Sequence, residues 1–125
     1  MKRIIICAFI AVLLIILGIA SYICTDNALS ATEQSVNEIS LNFDEGNMDK
    51  VKNLSAQLSD DWREIYGNYL FIVDKNYMVE ITLAVSRIEE FAKDENAEIL
   101  VECNTVKGLL ELCREKENIE LRNIL

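Results

Sequence analysis

The chain has 125 residues, 51% of them hydrophobic, with no histidine, no proline and a formal net charge of -9. That length suits a single domain, and so few helix breakers favour long helices over disorder. The missing histidine excludes Ser-His and Cys-His nucleophilic pairs and histidine-ligated zinc or haem, while the acidic total argues against nucleic acid as a partner.

Met1, Lys2 and Arg3 form a basic start, residues 1–3, and residues 4–24 then contain no charge. A helix over that stretch is roughly 31 Å long at about 1.5 Å per residue, enough to cross a hydrocarbon core. Membrane lipid is the partner this segment predicts. Lys2 and Arg3 on one side and acidic residues on the other predict a cytoplasmic amino terminus. Residues 25–125 then form an extracytoplasmic domain. Secretion after signal cleavage is the alternative, with Gly18-Ile19-Ala20 as a small-x-small site. The apolar run extends to Cys24, beyond the usual signal length, so a retained anchor is favoured. Lipidation of Cys24 is disfavoured by the bulky Ile23 before it. All 21 acidic residues lie after position 24, against ten basic ones once Lys2 and Arg3 are set aside, giving the domain a charge of -11.

Leu29, Val36, Ile39 and Phe43 then fall on one side of a helix, with Thr32 filling the spacing. Either the anchor continues as one rod to about Asp44, or a new helix starts with Asp26 or Asn27 as its cap. Asp44-Glu45-Gly46-Asn47 is a strong turn signal. Val51, Leu54, Leu58, Trp62, Ile65, Tyr69 and Ile72 predict a second helix from Met48 to Ile72, antiparallel to the first. Asp74-Lys75-Asn76 breaks it. Between 69 and 85 the pattern admits a hairpin, through alternating Tyr77, Val79, Ile81, Leu83 and Val85, or a helix through Met78, Ile81, Val85, Ile88 and Phe91. The helical stripe runs past normal strand length, and helix is favoured. After Asp94-Glu95-Asn96, a last helix follows Ile99, Cys103, Val106, Leu110 and Cys113, with Arg114 and Lys116 complementing the dipole near its end. Ile119, Leu121, Ile124 and Leu125 form an apolar tail expected to pack on the bundle. Phe43–Leu58 and Phe91–Val106 echo one another faintly, an acidic turn before a helix start.

Several of these features resemble one family. They are the acidic turn at 44–49, the Asp61-Trp62 pair, Phe71-Ile72-Val73-Asp74 leading into Glu80-Ile81, Ser86-Arg87-Ile88, Asp94-Glu95 before a leucine-rich helix, and the ending Glu120-Leu121-Arg122-Asn123-Ile124-Leu125. Together they resemble domain-of-unknown-function family 4363, short bacterial proteins with a membrane segment followed by acidic helical hairpins. The family often carries histidine after the aspartate at position 74, where this chain has Lys75, so no role of that histidine carries over. The resemblance implies an all-helical fold and brings no assigned activity.

Carboxylates are the abundant functional group. Glu95, Glu98 and Glu102 are spaced to share a helix face, and Asp60, Asp61 and Glu64 cluster beside Trp62. Such groups build hard-cation sites, but solvated helix faces have the same pattern. The 44–49 turn lacks the alternating oxygen ligands of a calcium loop. Cys103 and Cys113 are about 15 Å apart along one helix, too far for a disulfide, and read as buried apolar thiols. Trp62, with Tyr66 and Tyr69, is a candidate anchor for an interface or for the core, and its place on the apolar stripe favours the core.

The expected architecture is all-α: a transmembrane helix over 4–24 followed by antiparallel helical hairpins in a small bundle. No catalytic, cofactor or metal residue is predicted, and the chain does not read as an enzyme. The expected role is a membrane-anchored interaction or adaptor protein, an accessory subunit binding another protein or a second copy of itself. The alternative is a module binding a divalent cation or small ligand through carboxylates.

Overall fold

The computed structural model describes residues 1–69 and 73–124, with side chains as far as Lys116 and again at Ile119 and Arg122. Among them are four helices and no strand: α1 (Lys2–Asp44), α2 (Met48–Tyr69), α3 (Lys75–Lys93) and α4 (Ile99–Ile124). Each helix packs on two neighbours, α1 on α2, α2 on α3, α3 on α4, and α4 back on α1. The diagonal pairs make no close backbone approach among the described residues. The result is an up-down-up-down four-helix bundle.

The core explains the arrangement. Buried positions recur at alternating three- and four-residue steps: Thr25, Leu29, Thr32, Val36 and Ile39 on α1, and Val51, Ser55, Leu58 and Trp62 on α2. Met78, Ile81, Val85, Ile88 and Ala92 continue the pattern on α3, and Ile99, Cys103, Val106, Leu110 and Cys113 on α4. Four apolar seams of this period bury one another only by lying side by side. The polar members of the α1 seam are satisfied locally. Thr25 and Thr32 donate to the carbonyls of Ser21 and Ala28 one turn back, at 2.8 and 3.0 Å.

Some element boundaries and seams match expectation and others depart from it. α1 runs unbroken from Lys2 to Asp44, so the single rod forms and neither Asp26 nor Asn27 starts a helix. The stretch from Lys75 to Lys93 is helix, not the second arm of a hairpin. The expected extension of α2 through Leu70, Phe71 and Ile72 lies outside the described residues. On α2 the seam takes Ser55, fully buried, while Leu54 is only half-buried, because 51, 55, 58 and 62 keep a stricter period than 51, 54 and 58. The expected packing of the apolar tail fails at Ile119, which is 58% exposed on a continuing α4. Leu121, Ile124 and Leu125 lie outside the described side chains.

Two turns close the end of the bundle away from the apolar half of α1, and both use the same hydrogen bonds. Gly46 N–H donates to Phe43 O at 3.1 Å and Asn47 N–H to Asn42 O at 2.9 Å. Glu95 N–H donates to Ala92 O at 3.3 Å and Asn96 N–H to Phe91 O at 3.0 Å. Each pair is a Schellman closure, which needs one left-handed residue. That residue is Gly46, at φ 81°, in the first turn and Glu95, at φ 51°, in the second. The faint sequence echo thus marks a shared turn geometry. Glycine takes this conformation freely, whereas a side chain such as that of Glu95 is disfavoured there. Glu95→Gly is therefore expected to raise the stability of the full chain in detergent by about 1 kcal/mol, read by denaturant unfolding. The exposed 3.2 Å pair of Glu95 with Lys52 offers little to lose.

Candidate functional site

Trp62 lies on α2 and is 2% exposed. Its indole N–H donates to Thr82 Oγ1 on α3 at 2.9 Å, and that hydroxyl donates to Met78 O at 2.7 Å. The polar handle of the ring is therefore satisfied inside the bundle, and the ring ties α2 to α3. A shallow groove of about 150 Å³ opens beside it, lined by Ser59, Trp62, Arg63, Tyr66, Thr82, Val85 and Ser86. Ser86 Oγ donates back to Thr82 O at 3.1 Å, so one groove hydroxyl is already engaged by its own helix.

The three aromatic residues singled out by the sequence are only partly brought together. Trp62 and Tyr66 border the groove, whereas Tyr69 lines a separate apolar gap with Thr25, Ala28, Leu29, Ile65, Val73 and Met78, too small for water. Lys2 and Arg3 occupy the first turn of α1, far along the rod from the bundle.

The carboxylates do not converge. Glu95 sits in a turn with a left-handed backbone, and Glu98 precedes α4, so the helix face expected for Glu95, Glu98 and Glu102 does not form. Glu95 pairs instead with Lys52, and Glu102 Oε1 with Arg87 Nε at 3.0 Å across α3 and α4. Asp60, Asp61 and Glu64 are exposed on α2. Among the described residues no group of three or more acidic or cysteine side chains is placed to hold a metal ion. Cys103 and Cys113 are both buried on α4, which puts them out of reach of a cysteine on another chain. Burial pushes the Cys103 thiol up, with Ser40 opposing in part, and a protonated buried thiol is chemically inert.

The charged groups that do converge join helices. Arg114 on α4 reaches α1 through Nη1 to Glu33 Oε2 and Nη2 to Ser30 Oγ, both at 2.7 Å, with Asp26 Oδ1 3.6 Å from Nε. The expected dipole role near the helix end is displaced, since α4 continues ten residues beyond Arg114, to Ile124. Lys116 bonds Asp74, the N-cap of α3, and stands 5.9 Å above the Tyr77 ring. Neither Thr82 nor Arg114 carries a local sequence signal for these roles, because each partner lies on another helix.

Asp74 is held below the usual carboxylate range by the Lys116 ammonium and by the Asn76 N–H that it caps at 2.8 Å. A depressed carboxyl adds stability that is present above its unfolded value and lost as the pH falls through the folded one. Asp74→Asn is therefore expected to lower the melting temperature at pH 7, with the gap to the parent closing in strong acid, near pH 2. Thermal melts at the two pH values check this.

No curated protein and no solved structure matches the chain. A family model described as a domain of unknown function, DUF4363, matches residues 19–124. The match takes in α1 from residue 19, with the last part of the apolar stretch, and α2, α3 and α4, and the chain belongs to that family.

Proposed function

We propose that the protein is a membrane-anchored adaptor whose helical bundle, on the outer side of the membrane, binds another protein or a second copy of itself. Two features support the anchoring. α1 contains a window of mean hydropathy 3.1, none of it buried, and is long and apolar enough to cross a membrane, although a signal sequence has the same character. Lys2 and Arg3 precede it and the acidic domain follows, as the positive-inside rule describes.

The observation that carries the adaptor reading is the outward face of α4. Val101 and Leu112 are 62% and 45% exposed, and Thr105 and Gly108 stand between them at helical spacing, also exposed. No charge interrupts this line from 101 to 112. A glycine inside a helix costs about 0.5–1 kcal/mol relative to alanine. Nothing lies within 4 Å of where a Gly108 Cβ would be, so the bundle itself does not require the glycine. A second helix approaching closely would require it. Unpaired apolar side chains around a small residue form the kind of face into which a partner's helix fits.

The test places a photo-crosslinking amino acid at position 112 of the full chain in native membranes. A protein adduct, either a partner or a second copy, is the expected result, and Gly108→Leu should remove it while the fold persists. No protein adduct at this face would overturn the reading. Gly108→Ala, by contrast, is expected to stabilise the isolated chain by about 0.5–1 kcal/mol, measured by denaturant unfolding.

A further inference from the structure

We propose that the bundle touches the membrane at a second place: the last turns of α4, residues 119–124, lie at the boundary between lipid headgroups and acyl chains beside the anchor. The inference goes beyond the adaptor role but rests on α1 being a retained anchor.

α1 and α4 are neighbouring, nearly parallel rods, so a residue on one has a level on the other. α1 is a single helix through the apolar stretch and the bundle, and α4 packs antiparallel against it. Arg114 contacts Asp26, Ser30 and Glu33, which sets it level with about residue 30 of α1. From there α4 descends ten more residues to Ile124, about 15 Å at 1.5 Å per residue. The uncharged stretch of α1 begins at Cys24, only about 9 Å below the same level. Ile119 therefore lies at about the edge of that stretch, and α4 ends about 6 Å beyond it, so its last turns cross the boundary between headgroups and acyl chains.

The residues delivered to that depth suit it. Ile119 is 58% exposed. Leu121 and Ile124 follow in sequence, with Arg122 between them. At such a depth a long cationic side chain such as that of Arg122 reaches back toward phosphate, and an exposed aliphatic one such as that of Ile119 enters the acyl boundary. The other end of the bundle, formed by the turns at Gly46 and Glu95, is acidic and holds no comparable aliphatic cluster among the described residues.

The test uses the full chain reconstituted into phosphatidylcholine vesicles containing one quarter phosphatidylglycerol, made with or without acyl chains brominated near the headgroup. Ile119→Trp, Arg122→Trp and, as the far-end control, Leu41→Trp each add one tryptophan to the buried Trp62, whose emission is the common background. The proposal expects the added emission at 119 and 122 to be blue-shifted and quenched by bromine, and that at 41 to be unaffected. Vesicle-bound chains in which 119 and 122 are no more quenched than 41 would overturn the headgroup contact and leave the anchor intact. Chains that fail to float with the vesicles would overturn the anchor, and this contact with it.

Discussion

Replacing Trp62 by alanine is expected to cost about 3–5 kcal/mol, a large part of what a domain of this size has. The ring is the largest fully buried side chain in the protein, and its removal leaves a cavity between α2 and α3 that adjoins the existing groove. It also leaves Thr82 Oγ1 without the indole donor. Trp62→Phe separates the two losses, since it keeps most of the apolar area and loses only the 2.9 Å hydrogen bond, at about 1 kcal/mol. Far-UV circular dichroism during heating is the measurement. A loss of cooperative melting in the alanine variant identifies Trp62 as a core residue. An unchanged melt combined with lost crosslinks to a partner would make it an interface residue instead.

Arg114→Ala should be the most damaging substitution among the charged side chains, at about 2 kcal/mol, because one guanidinium joins α4 to three residues on two turns of α1. Its Nε is buried without a hydrogen-bond partner, and Asp26 nearby supplies only electrostatic attraction at 3.6 Å. Lysine has one point of charge where the guanidinium has a planar fork, so Arg114→Lys should recover only part of the loss. Glu33 is partly exposed and can regain water when its partner goes, which limits the cost. A double-mutant cycle between Arg114→Ala and Glu33→Gln, followed by denaturant unfolding, should give a coupling that weakens as salt is added.

The sequence reading of the fold and of the site diverged for a physical reason. Apolar periodicity is a local signal, and it located α1 and the packed faces of Leu29, Ile81 and Leu110 closely, but not how far α4 runs beyond Cys113. It passed over Ser55 because a hydroxyl counts as polar in any such pattern, although the position is wholly buried. It also joined Glu95 to Glu98 and Glu102 by assuming that helix extends through residue 95, where the backbone has already turned left-handed. Interhelical partners such as Thr82 for Trp62, Glu33 for Arg114 and Asp74 for Lys116 depend on which helices become neighbours. Only the closed square of four helices determines that. The outward line of Val101, Gly108 and Leu112 was hidden for a related reason: on a helix whose inner seam is continuous, apolar residues on the outer side look like a broadening of the same face.

The continuity of α1 has a mechanical consequence. Thr25 is packed in the core directly after the apolar stretch, and no glycine or proline interrupts the helix between there and Asp44. No residue is left over to serve as a swivel. In the anchored chain, the bundle is thus a rigid extension of its stem and not a ball on a tether. A tilt or axial twist of the stem turns the whole bundle with it, and a force on the α4 face is returned to the apolar half of α1 as torque.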